Sequence, residues 1–204
     1  MFSVLSFGGR FGGHDTIYSR LAPLPNTFEK KMSELDEAWA IALAEAEQRA
    51  RLAGRGDVAE YLALRNSNDL LRKAGVDWLV ASFTSLAGDA NRTGASIQIA
   101  NTDGHRFRIG TSTMVGRLVS LSNGVRQILV AAGWPRVPRD GIVRGGGLAT
   151  AQVRHVGIRR ADEELLLSRS MAGAPQWTSL NRKPHVFHES DINRHLAILL
   201  DRHR

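Results

Sequence analysis

The sequence predicts an α+β fold, in which an N-terminal helical hairpin or small bundle packs on an antiparallel β-meander and a C-terminal helix follows. Three observations carry this. Apolar residues recur at helical spacing between residues 27 and 87, the pattern changes to alternation with frequent turn signals after Gly94, and helical spacing returns after Glu189. The chain divides accordingly into an irregular arm (1–26), a helical subdomain (27–92) and an arginine-rich antiparallel β domain with its C-terminal helix (93–204).

The arm is assigned from Phe7-Gly8-Gly9-Arg10, nearly repeated as Phe11-Gly12-Gly13-His14, with Pro23 and Pro25 after it. From Asn26 or Thr27, Phe28, Met32, Leu35, Trp39, Leu43 and Ala46 form one stripe of a long helix that ends at Gly54 and Gly56. Asp57 is the expected N-cap of a second helix, interrupted by Asn66-Ser67-Asn68. A third runs from Asp69 to about Ala87, with Gly75 as a possible break.

Beyond Gly94, Ser96 to Asn101 and His105 to Gly110 flank Thr102-Asp103-Gly104 and read as a hairpin. Alternation places Arg106 and Arg108 together, opposite Phe107 and Ile109. Arg117 to Leu121 and Val125 to Ala131 flank Ser122-Asn123-Gly124, a second hairpin, so the sheet is expected to be a meander. Residues 132–147 are too broken by Gly and Pro for a regular element; Leu148 to Val156 and Glu164 to Ser168 resume strand character. Glu189-Ser190-Asp191 starts the last helix, with Ile192, Leu196, Leu199 and Leu200 as its buried stripe.

The 204 residues contain no cysteine, which excludes disulfides, thiolate metal sites and cysteine nucleophiles. Met1 to Phe7 is too short for a signal h-region and no run of about 18 apolar residues occurs, so a cytoplasmic protein without membrane contact is expected. The net charge of +7 is unevenly distributed. Residues 1–93 hold 11 basic against 12 acidic residues, residues 94–160 hold 10 against 2, and residues 161–204 hold 6 against 6. Every cation in the middle section is arginine, whose planar fork suits phosphates and carboxylates.

The leading reading is therefore a non-catalytic nucleic-acid-binding or nucleoprotein-assembly subunit, contacting RNA or DNA through Arg106, Arg108, Arg117, Arg126, Arg136, Arg139 and Arg144, with Trp134 as a stacking platform. The bland alternative is a solvated sheet face with scattered arginines. A protein-interaction component meeting an acidic partner is the second reading, and a protein partner or second copy is expected to use the N-terminal helices. A third reading makes Gly145, Gly146 and Gly147 a phosphate-holding loop of an enzyme, against a simple turn or bulge entering the next strand; the run matches neither a Walker loop nor GxGxxG.

No catalytic residue, metal or cofactor is expected. The densest histidine group, His185, His188, Glu189, Asp191 and His195, has the spacing H-x-x-H-E rather than H-E-x-x-H, and reads as surface histidines near a helix start. His105 and His155 read as hydrogen-bonded structural residues. GxSxG and SxxK are absent, and Asp103 and Asp140 are the only carboxylates between residues 94 and 160, too few for a two-metal phosphodiesterase. Trp39 and Trp78 are expected in the core, whereas Trp134 and Trp177, in irregular segments, are the better candidates for a binding surface.

Overall fold

A computed structural model describes residues 27–181 and 183–201, so the arm with its repeated Phe-Gly-Gly lies outside the described residues. The helices are α1 (Thr27–Leu52), α2 (Gly56–Arg92) and α3 (Glu189–Leu200). The strands are β1 (Gln98–Ile109), β2 (Ser112–Asn123), β3 (Arg126–Trp134), β4 (Ala149–His155), β5 (Glu163–Arg169), β6 (Pro175–Ser179) and β7 (His185–Val186). They form one sheet in the order β1-β2-β3-β4-β5-β6-β7, every neighbour antiparallel. This is the expected α+β meander.

Gly54 takes φ +68 and closes α1, with Arg55 N–H donating to Ala50 O (2.9 Å) and Gly54 N–H to Arg51 O (3.1 Å), the Schellman pairing that only a residue tolerant of left-handed backbone allows. Leu43 and Ala50 of α1 are buried; the side chains of Phe28, Met32 and Leu35 lie outside the described residues. The second and third expected helices are one 37-residue helix, and its N-cap is Arg55 rather than Asp57. Asn66-Ser67-Asn68 does not break it. Arg169 from β5 donates to Ser67 Oγ (2.9 Å) and Asn68 Oδ1 (3.2 Å), engaging those side chains away from their own backbone. Gly75 does not break it either. A Cβ there would lie 2.6 Å from both Leu167 methyls, and Trp177 Nε1–H donates to Gly75 O (2.8 Å), so this is where the helix comes closest to the sheet.

Thr102-Asp103-Gly104 is not a turn. β1 runs straight through it with a bulge between Asp103 and His105, Gly104 at φ +68, and the chain reverses at Gly110 instead. Asp-Gly supplies the positive φ that a bulge needs as readily as the one that a hairpin needs. The bulge also switches faces. Ile99 pairs with Leu121 and Arg106 with Val115, so the arginines lie on the face that carries Ile99, and Phe107 lies on the other. The β2–β3 hairpin is present, but Ser122 and Asn123 pair within it, so its two turn residues are Gly124 (φ +58) and Val125 rather than Ser122-Asn123-Gly124. In this pair Gly116 faces Gly133, and at each the place of a Cβ is filled by backbone of the opposite strand.

Val76, Leu79, Val80, Phe83 and Ala87 of α2 share one core with strand residues from β2 to β6 and with Ile192, Leu196 and Leu199 of α3. Twelve core residues of β2 to β6 lie on this face, and α3 packs beside α2 over β2 and β3, with His195 reaching β4 and β5 through its ring nitrogens. Asp191 caps α3 by accepting the His188 N–H (2.9 Å). Among the described residues no helix is long and apolar enough to cross a membrane.

Candidate functional sites

Four of the seven singled-out arginines gather around the β1–β2 turn. Arg106 Nη2 lies 3.5 Å from Asp140, and Arg139 is the neighbour of that carboxylate in a 3₁₀ turn (Pro138–Asp140). Arg144 places its guanidinium against Gly110, where a Cβ would collide with it, and Arg108 stands two residues earlier on β1. Ser112 Oγ donates to Ile142 O (3.0 Å), fastening the 135–148 segment to the start of β2. Asp140 is buried, and the carboxylate that these residues meet among the described ion pairs is this one. Arg108, Arg139 and Arg144 are exposed and have no ion pair among the described residues.

The other three arginines are engaged within the molecule, Arg117 and Arg136 bordering one cavity beside the Arg106 end of β1 and Arg126 at the opposite end of β3. Arg117 pairs with Asp103 (2.6 Å) and with Asp77 of α2 (3.1 Å). Arg126 donates to Ile198 O (2.7 Å) near the end of α3. Arg136 pairs with Asp36 of α1 (3.2 Å) and lies 4.0 Å over the Trp134 ring. The expected platform is thus covered. Trp134 is 9% exposed and belongs to the core, and Trp177 is 3% exposed, whereas Trp39 (48%) and Trp78 (39%) stand partly in solvent. The inversion follows from β3 extending to Trp134 and from a strand, β6, around Trp177. Neither extension is visible in a stretch rich in Gly, Ala and Pro.

Gly145 (φ +75) and Gly146 (φ +71) take left-handed backbone in an exposed turn beside Arg144. Gly147 has a packing reason: a Cβ would lie 2.8 Å from Leu166 Cγ and from Leu167 O, and Leu148 N–H donates to Leu167 O (2.7 Å). Arg154, Arg159 and Arg160, three further exposed arginines of the same section, lie at the opposite end of the sheet. Arg154 and Arg159 border a cavity of about 470 Å³ with Gln152 and Glu164.

A buried charge network occupies that opposite end. His195 is 1% exposed, not a surface residue as its spacing suggested, and both ring nitrogens are engaged: Nδ1 with His155 Nε2 (2.8 Å) and Nε2 with Glu163 Oε2 (2.9 Å). Arg194 donates to the same Glu163 oxygen (2.8 Å) and lies 3.3 Å from Asp191, which also meets His185 (3.2 Å). Burial disfavours an ionised Glu163. The hydrogen bonds from His195 and Ser179, with the charges of His195 and Arg194, outweigh it and hold the carboxyl down at about 2. Burial, reinforced by His195 and opposed by Asp162, holds His155 down at about 4. Beside this network lies a cavity of about 950 Å³, bordered by Arg126, Arg160, Asn181, His185, Arg194 and His195. No group of three or more His, Cys, Asp and Glu suited to a metal ion occurs among the described residues.

No family model matches the chain, and comparison with curated proteins and with solved structures gives no match.

Proposed function

We propose that this chain is a non-catalytic nucleic-acid-binding subunit whose contact surface is the corner formed by Arg106, Arg108, Arg139 and Arg144. The observation that supports the reading is the charge imbalance there, with four guanidinium groups around one turn and, among the described ion pairs, the buried Asp140 against them. Guanidinium groups held on a strand and two short turns present a fixed set of donors to successive phosphates, and neutralising phosphates releases condensed counterions. The exposed backbone of Gly145 and Gly146 beside Arg144 lets a phosphate approach closely. RNA and DNA are both within this reading, and location in the cytoplasm is part of it.

The test is binding to single- and double-stranded RNA and DNA over a range of salt. Changing Arg108, Arg139 and Arg144 to glutamine is expected to weaken binding and to flatten the plot of log affinity against log salt by roughly 0.7 to 0.9 per lost contact. Affinity indifferent to salt, or unchanged in the triple variant, refutes the reading.

A second reading, an acidic protein partner at the same corner, is favoured by Ile142 (76% exposed) and Val137, apolar side chains beside the arginines that a phosphate backbone does not use. Resistance of the complex to polyphosphate competitors distinguishes it. The proposed protein contact through the N-terminal helices draws on Trp39, Ile41, Tyr61, Leu64 and Leu70, all exposed on α1 and α2.

A further inference from the structure

The buried network at the far end of the sheet is independent of the arginine corner. Its central feature is geometric. His155 Nε2 and His195 Nδ1 face each other at 2.8 Å, a gap that holds one proton; two N–H groups cannot point at each other across it. His195 Nε2–H donates to Glu163 Oε2 (2.9 Å). That leaves three complete arrangements: a neutral or a charged His155 donates to a neutral His195, or a charged His195 donates to a neutral His155. No arrangement keeps the bond when both rings are charged.

The three residues also join separate elements. His155 ends β4, Glu163 begins β5 and His195 lies in the middle of α3, whose Ile192, Leu196 and Leu199 enter the core beside it. We propose that the His155–His195–Glu163 chain is an acid-released latch, which holds α3 against β4 and β5 while the two imidazoles carry at most one positive charge and frees the helix when both are charged.

The surrounding groups do not remove the conflict. Asp162, ahead of β5, accepts the His155 backbone N–H through Oδ1 (2.8 Å) and favours a charged His155, but burial and His195 prevail. On α3, Arg194 faces Glu163 and Asp191, and from β7 His185 faces Asp191. Arg126 of β3 is held by Ile198 O. From α2 comes the Phe83 ring (6.2 Å from the His195 ring) and from the segment before α3 the Phe187 ring (6.3 Å), neither able to take up charge. The 950 Å³ cavity bordering His195 gives water a route to the network.

The sign follows from linkage. An unfolded chain protonates His155 near 6.5, the folded chain at about 4, so the latch is fully closed above about pH 6.5 and weakens as pH falls towards 4. Between pH 7 and pH 4 the opening constant rises roughly 100-fold, up to tenfold per pH unit. Glu163, held at about 2, stays ionised throughout, so its pairing with Arg194 is not what lets go.

Hydrogen exchange of the full chain between pH 7 and pH 4, corrected for the intrinsic pH dependence of exchange, tests the proposal. Protection of residues 189–200 is expected to fall across the window while β2 and β3 keep theirs. His155→Gln retains a partner for His195 without titrating, and is expected to reduce the pH dependence by about one proton. Protection of α3 that is unchanged down to pH 4, or lost only together with β2 and β3, overturns the latch. So does an unaltered dependence in His155→Gln. If that variant does not fold, imidazole titration of the unmodified protein by NMR decides. Both rings charging near pH 6.5 with α3 still protected refutes the proposal, and α3 protection that falls as the second ring takes up its proton supports it.

Discussion

Replacing Glu163 with glutamine removes one charge from the most buried ionic contact of the protein at nearly constant volume. In the folded chain the carboxyl is held at about 2, against 4.5 when unperturbed, so it contributes stability that is complete above about pH 4.5 and lost as pH falls towards 2. At 1.36 kcal/mol per unit, the contribution at pH 7 is about 3 kcal/mol. The two donors left behind differ in weight. Arg194 is half exposed and returns to water at little cost, whereas His195 keeps an N–H that the glutamine oxygen can still accept. The net loss expected is therefore roughly 2–3 kcal/mol, short of the full cost of orphaning a buried charge. Urea unfolding at pH 7 measures it directly, as a fall in midpoint of about 1 M at an unchanged slope of roughly 2–3 kcal/mol per molar. The difference from the unmodified chain is expected to hold from pH 7 to 5 and to shrink below about pH 4.5. A variant within about 0.5 kcal/mol of the parent at pH 7 refutes the reasoning, because Glu163 would then contribute nothing as an ion.

Two further substitutions test the packing. Gly75→Ala gains about 1 kcal/mol of helix propensity but drives a methyl into Leu167, a fully buried residue with no room to yield, at about 1–3 kcal/mol; net destabilisation by thermal unfolding is expected, and stabilisation shows that α2 and β5 are further apart than described. Leu79→Ala, at a position with no exposure, is expected to cost roughly 2–5 kcal/mol in urea unfolding, and a loss below about 1 kcal/mol places α2 outside the core.

The elements with a strong period were legible in the sequence, and those defined by pairing were not. The stripe Ile192, Leu196, Leu199 follows from spacing alone, and Asn123-Gly124 between alternating runs identifies the β2–β3 hairpin. Asp103-Gly104 carries the same kind of signal and forms a bulge, because whether an Asp-Gly pair turns or bulges depends on the partner strand, not on the dipeptide. Ser67 and Asn68 stay helical because Arg169, about a hundred residues away, engages them. For the same reason the buried network escaped notice. His155, Glu163 and His195 share no motif spacing, and the only local hint was an imidazole within the apolar face of α3, between Ile192 and Leu196.

Composition overstates the charge that the folded surface presents. Residues 94–160 carry ten cations and two acids, yet the surface field is not that of eight unpaired charges, since Asp77 and Asp36 lie in α2 and α1 and neutralise Arg117 and Arg136 across the fold. Arg126 is held by a carbonyl near the end of α3. What remains is divided between Arg106, Arg108, Arg139 and Arg144 at the β1–β2 turn and Arg154, Arg159 and Arg160 at the other end of the sheet. Strands rise about 3.3 Å per residue, so the seven residues of β4 alone hold the two groups about 20 Å apart, beyond two Debye lengths at physiological salt. The two groups also lie on opposite faces, since Arg106 and Arg108 share the face of Val119 and Leu121 whereas Arg154 pairs with Leu129 on the other. They therefore act separately on small anions, and only a partner long enough to pass around the sheet meets both. A polymer of phosphates has that reach, so a short oligonucleotide spanning one end is expected to show the salt slope of one cluster and a longer one the slope of both; equal slopes for the two lengths confine binding to a single end.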